Sequence, residues 1–140
     1  METKIYSFNE LSDKAKLRAL TDYQSDAEYS WGYDALTSLK EFMNEIGVNL
    51  ISYDIDWLSP WRSHVHYEGK PHGKFIKEEL TGYCMDYPLT TTWNKTKSIS
   101  ACIDEFLREC ANDYEHQLSE EGYAEYCNGN DLKFYENGTH

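Results

Sequence analysis

Apolar residues recur every fourth position from Leu11 through Ala15 and Ala19 to Tyr23, and Ser12 precedes them. That spacing predicts a helix from Asp13 to about Tyr23, capped by Ser12, with Lys14 and Arg18 on its exposed side. A second helix is expected from Asp26 or Asp34 to Ile46, because Leu36, Leu39, Met43 and Ile46 keep a three-four spacing and Gly47 supplies the stop. From Val48 the period changes to two. Ile51, Tyr53, Ile55 and Trp57 alternate with polar residues, and Ser59-Pro60 turns the chain into a second alternating run, Trp61 to Glu68. The pair reads as an antiparallel hairpin, followed by the loop Gly69 to Gly73.

Gly82 to Asp86 is expected to form a third strand ended by Pro88, and Thr90 to Trp93 a weaker fourth. The longest helix should run from Ser98 to about Leu118, with Ile99, Ile103, Phe106, Cys110 and Tyr114 as its buried stripe. A shorter helix starts after Ser119 and reaches about Cys127, Gly129 breaks it, and Leu132 to Tyr135 reads as a terminal strand. Together these elements predict an α+β fold: a small antiparallel sheet of three to four strands with about four helices packed mainly on one face. With 140 residues and no repeat or Pro/Gly-rich linker, the chain is expected to be a single domain, residues 1–140.

Charge changes this picture more than composition does. The net charge is -12, and from Ala101 to Glu136 ten acids face only Arg108 and Lys133, a local balance of -8. Such a field repels nucleic acid and anionic membranes and attracts basic surfaces, which argues against direct DNA or RNA binding. The alternative is a solvated face that only keeps the chain soluble. No apolar stretch is long enough for a signal peptide or a membrane span, so the protein is expected to stay where it is made. Twelve tyrosines and four tryptophans can fill a core and place polar tips at its edge. The clusters Tyr29 to Tyr33 and Trp57 to Trp61 fit core closure, or an interface rim.

Candidate chemistry is sparse. His64 and His66 share a strand face and could present two imidazoles to one ion, with His72 and Cys84 completing a structural zinc site; two surface histidines beside Glu68 are the plainer alternative. Asp54 and Asp56 could hold a hard cation or simply hydrate a strand face. Cys102, Cys110 and Cys127 read as buried thiols. Cys84 with His66 and Asp86 can be drawn as a nucleophile, base and orienting carboxylate, but no local motif supports it, and no GxSxG, HExxH, P-loop or GxGxxG is present. The expectation is therefore a binding protein rather than an enzyme.

Several segments in order, Ile5 to Lys16, Thr81 to Asp86, Asp113 to Glu121, Asn130 to Phe134 and Glu136 to Gly138, resemble a group of small bacteriophage-encoded proteins. In size and charge the chain is also similar to anti-CRISPR inhibitors of type II Cas nucleases. The resemblance implies a counter-defence protein in the host bacterial cytoplasm that binds a nucleic-acid-handling host protein, most plausibly a Cas nuclease, and blocks its nucleic-acid path. Asp104, Glu105, Glu109, Asp113 and Glu120 would then face basic residues that normally hold phosphates. The alternatives are an antitoxin-like protein neutralising a basic toxin, and a small metal-dependent or cysteine hydrolase.

Overall fold

The computed structural model describes residues 4–140. A short 3-10 turn, Phe8–Glu10, leads into α1 (Asp13–Asp26) and α2 (Gly32–Glu45). β1 (Asn49–Asp54), a 3-10 turn at Pro60–Arg62 and β2 (His64–Glu68) follow, and then α3 (Asp86–Thr96), α4 (Ile99–Leu118) and α5 (Glu120–Gly129). The expected sheet of three to four strands is overturned. Among the described residues there are five α-helices and a single two-stranded antiparallel sheet, β1 paired with β2.

The helices with a clear three-four period form where their pattern places them. Ser12 caps α1 by accepting the Ala15 N–H at 3.2 Å, and Ser119 caps α5 by accepting the Gly122 N–H at 3.0 Å. Each cap satisfies a backbone donor that the first helical turn leaves without a partner. Gly47, at φ 75, adopts the left-handed conformation that ends α2.

The errors lie where β-branched and aromatic residues imitate strands. Gly82 to Met85 is a turn, and Thr90 to Trp93 belongs to α3. Pro88 sits in the first turn of that helix, where its missing N–H costs nothing, so it helps to start α3 instead of ending a strand. The weak helix propensity of Thr90 is offset because its buried hydroxyl donates to the carbonyls of Glu78 at 2.8 Å and Asp86 at 3.1 Å, while Leu89 and Trp93 are buried on the same helix. Leu132 to Tyr135 does not form a strand. It contributes one isolated bridge, with Phe134 and Tyr6 exchanging backbone hydrogen bonds at 2.8 Å.

The hairpin forms, but the simple alternation fails in the first half of its first strand. A bulge between Leu50 and Ser52 shifts the register by one residue, leaving Ile51 and Tyr53 53% and 42% exposed while Leu50, Ile55 and Trp57 pack on the core. Trp61, expected on the inner face of the second strand, lies in the 3-10 turn and is 78% exposed.

The chain divides into two compact units, one from residues before Tyr29 together with Glu115–His140, the other Tyr29–Tyr114. The first is built on α1 and α5. Phe8, Leu11, Ala15, Ala19, Tyr123, Cys127 and Phe134 form its core, with Phe8 edge-on to Tyr123 at 5.2 Å and Tyr23 stacked on it at 4.3 Å. The second unit is larger. Leu39, Phe42 and Met43 of α2, Leu89 and Trp93 of α3, and Cys102, Phe106 and Cys110 of α4 meet in its core, and each fully buried large side chain contributes about 1.5–3 kcal/mol by leaving water.

Candidate functional site

The acidic residues of α4 divide into two kinds once its buried face is fixed. Ile99, Cys102, Ile103, Phe106, Leu107, Cys110 and Ala111 turn into the core of the larger unit, so Asp104 is exposed and Glu105, Glu109 and Asp113 form a ridge at spacings of four along one edge. Glu105 is engaged by Arg108, whose Nη2 donates to both carboxylate oxygens at 2.5 Å; with both groups substantially solvated, this pair adds little stability. Glu105 and Glu109 also line an open groove of about 650 Å3 against α3, where Tyr87, Thr91, Thr92 and Lys95 face them. The groove therefore has an acidic wall and one cationic group opposite.

Asp113 does not belong to the solvated surface. Its Oδ2 accepts a 2.5 Å hydrogen bond from the Tyr29 hydroxyl, with the Tyr83 hydroxyl 3.5 Å away and the two hydroxyls 3.3 Å apart. Burial, with the hydrogen bond to Asp113 second, pushes the Tyr29 phenol far above its ordinary pKa. Burial also raises Tyr83. Trp31 stacks on Tyr83 at 5.3 Å, and Tyr29 stacks on Tyr114 at 5.2 Å and meets Trp57 edge-on at 5.3 Å. Of the two aromatic clusters, Tyr29 and Trp57 thus close the core, whereas Tyr33 and Trp61 are exposed. A Tyr29→Phe variant should lose about 1.5–3 kcal/mol, as expected for a hydrogen bond to a charged group, and chemical denaturation followed by tryptophan fluorescence would read it. An unchanged midpoint would remove Asp113 from the structural network.

Glu120 is exposed in the first turn of α5 and belongs to the smaller unit, where it shares a shallow pocket with Asp13, Lys16, Leu17 and Leu20. It is not part of the ridge formed by Glu105, Glu109 and Asp113.

The structure does not gather the four proposed zinc ligands. His64 and His66 stand on the exposed face of β2, with His66 Nε2 3.8 Å from Glu68. His72 packs against Gly47, where an added Cβ would lie 2.6 Å from its Nε2, and Cys84 is an exposed thiol in the turn before α3. Among the described residues no three His, Cys, Asp or Glu side chains are grouped so as to hold a metal. The strand that was to carry Cys84 back towards the histidines is not formed, which removes the geometric reason for the site. Asp56 is engaged locally, its Oδ1 accepting the Leu58 N–H at 3.1 Å.

A catalytic use of Cys84, His66 and Asp86 fails on the carboxylate. Asp86 is fully buried, and its Oδ2 accepts the N–H groups of Leu80 at 2.9 Å, Thr81 at 2.8 Å and Gly82 at 3.0 Å, while Oδ1 accepts the Thr81 hydroxyl at 2.9 Å. Those donors leave it no role as an orienting group for an imidazole. Burial pushes its pKa up, but the hydrogen bonds from Leu80, Ser38 and Thr81 outweigh this and hold it below the ordinary carboxylate range. Sequence reasoning missed this residue as a structural anchor. The available signal was an acid two positions before Pro88, just after a Thr-Gly turn: a negative group where a helix begins.

Cys102, Cys110 and Cys127 are buried as expected. Burial pushes the Cys102 thiol up to about 12 and raises Cys110 further, so neither is a thiolate near neutral pH.

Comparison with protein-family models, with curated proteins and with solved structures finds no match to this chain. Among the described residues, no helix is long and apolar enough to cross a membrane. The site that remains is the acidic side of α4, with Asp104 exposed and Glu105 and Glu109 half-buried along the groove beside it.

Proposed function

We propose that the protein binds a basic, nucleic-acid-handling host enzyme and occludes its nucleic-acid path, as a phage counter-defence inhibitor of a type II Cas nuclease would. The observation that carries this reading is the arrangement of α4. One side is locked into the core, while Asp104, Glu105 and Glu109 remain on the other side of a rigid helix with Arg108 as the cation set among them. Carboxylates carried at helical spacing on an already folded backbone present negative charge with only side-chain ordering left to be lost on binding, which suits a channel lined by lysine and arginine.

The geometry changes which residues should be tested. Asp113 supports Tyr29 and Glu120 lies in the other unit, so the charge-reversal variant is Asp104→Lys, Glu105→Lys and Glu109→Lys, with Asp113 left intact. In a plasmid-interference assay against a type II nuclease, the wild type should restore plasmid uptake and the folded triple variant should lose most of that protection. Protection by neither protein across several such nucleases would sink the proposal, and recovery of a basic toxin from host lysate would put the antitoxin-like reading in its place.

A further inference from the structure

The sheet ends in an unprotected strand. β2 pairs with β1 along one edge only, and among the described residues its other edge has no backbone hydrogen-bond partner. Natural edge strands are usually blunted by lysine, proline, a bulge or a covering element. β2, His64-Val65-His66-Tyr67-Glu68, has no lysine, proline or bulge; the bulge of this hairpin lies on β1, the strand that packs against α2. A two-stranded sheet is also marginal, and further strands would complete it.

The order of side chains on β2 indicates what completes it. Laid antiparallel against itself about His66, the strand places His64 opposite Glu68 of a second copy and Val65 opposite Tyr67 of that copy, each contact occurring twice, with His66 opposite its own counterpart. This is the symmetric register that pairs all five residues. His64 and Glu68 are exposed on the solvent side; one Glu68 oxygen stands 3.8 Å from His66 of its own chain, and the other can accept an imidazole N–H from a second copy. Val65 and Tyr67 are half-buried on the core side, where a β-branched residue opposite an aromatic one is a favourable cross-strand pair. We infer that the free edge of β2 is a self-association site, joining two copies of this chain into a continuous four-stranded antiparallel sheet. The His64-to-Glu68 hydrogen bonds and the Val65–Tyr67 pairs, each made twice, match the strand to a second copy rather than to an unrelated extended peptide. This inference does not depend on the inhibitory role proposed above.

Sedimentation equilibrium of the intact chain at about 0.15 M salt, where the net charge of -12 on each copy is screened beyond about 8 Å, should show a mass that doubles as concentration rises into the millimolar range. Glu68→Lys should weaken the dimer about tenfold, since two symmetry-related pairs become unfavourable, and adding His64→Glu in the same chain should restore it. Oppositely placed residues of an antiparallel pair have Cα atoms about 4.5–5.5 Å apart, within disulfide range. In a Cys84→Ser background, His66→Cys should therefore form a covalent dimer on mild oxidation with diamide, far faster than Tyr33→Cys, which is 83% exposed but off the strand. A chain monomeric at millimolar concentration, a dimer indifferent to Glu68→Lys, or equal cross-linking at positions 66 and 33 would overturn the assignment. So would an extended peptide of another protein bound at β2 while the chain itself stays monomeric.

Discussion

Asp86→Ala is expected to cost about 3–5 kcal/mol, because it leaves the N–H groups of Leu80, Thr81 and Gly82 without the charged acceptor around which their turn is folded. The loss should propagate. Thr81 connects the carboxylate to the buried Ser38 of α2, whose hydroxyl is 3.2 Å from its own, and Asp86 opens the helix that buries Leu89 and Trp93. A fall in melting temperature of about 10 °C or more would follow for a chain of this size. Asp86→Asn keeps the shape and removes the charge, which adds a test by pH. A carboxylate with a folded pKa below its unfolded value, near 3.9, contributes stability above that unfolded value and loses it as pH falls through the lower folded one. The stability gap between wild type and Asp86→Asn should accordingly be full at neutral pH and close progressively below about pH 4. A gap that is constant with pH would show that the charge of Asp86 does not hold the turn.

Gly122→Ala should be the other severe change, at about 3 kcal/mol or more. Gly122 occupies the first turn of α5, and a Cβ there would overlap the His116 carbonyl oxygen while standing 2.9 Å from the carbonyl carbon and 3.3 Å from the Gln117 Cα. Those are backbone atoms at the end of α4 and cannot rotate aside as a side chain would. Relief requires moving α5, which carries Tyr123 and Cys127 in the core of the smaller unit. Gly129 provides the control. It lies at the other end of the same helix, where an added Cβ meets nothing within 4 Å, so Gly129→Ala should be neutral or stabilise by up to about 1 kcal/mol. Thermal melts of the two variants side by side should differ widely, and equal melting temperatures would refute the packing at this junction.

How much of the fold the residues disclose depends on whether a local pattern or a distant contact decides. α1, α2, α4 and α5 follow from apolar spacing with Ser12, Gly47 and Ser119 at their ends, features contained within one or two turns. α3 was hidden because Thr90 to Thr92 prefer strands on their own; burial of Leu89 and Trp93 and the bonds from the Thr90 hydroxyl override that preference. The bulge at Ile51 inserts one residue with no signature, and it puts Leu50 rather than Ile51 against the core. The acidic face shows the same division. The exposure of Asp104 follows from the helical stripe alone, but the capture of Asp113 by Tyr29 joins residues 84 positions apart, which spacing along α4 cannot reveal. The proposed zinc ligands divide in the same way: the strand pattern places His64 and His66 together, but the strand expected to carry Cys84 beside them is replaced by α3 and its preceding turn.

Fluorescence anisotropy tests directly whether the acidic side of α4 competes for a basic nucleic-acid path, as proposed. Labelled target DNA is titrated with a guide-loaded type II Cas nuclease in the presence of the purified protein. DNA binding should be lost as the protein reaches stoichiometric amounts, and the folded Asp104→Lys, Glu105→Lys, Glu109→Lys variant should leave it intact. Unchanged DNA binding at a large excess of wild type, or equal inhibition by the variant, would contradict the claim that these carboxylates occupy the path.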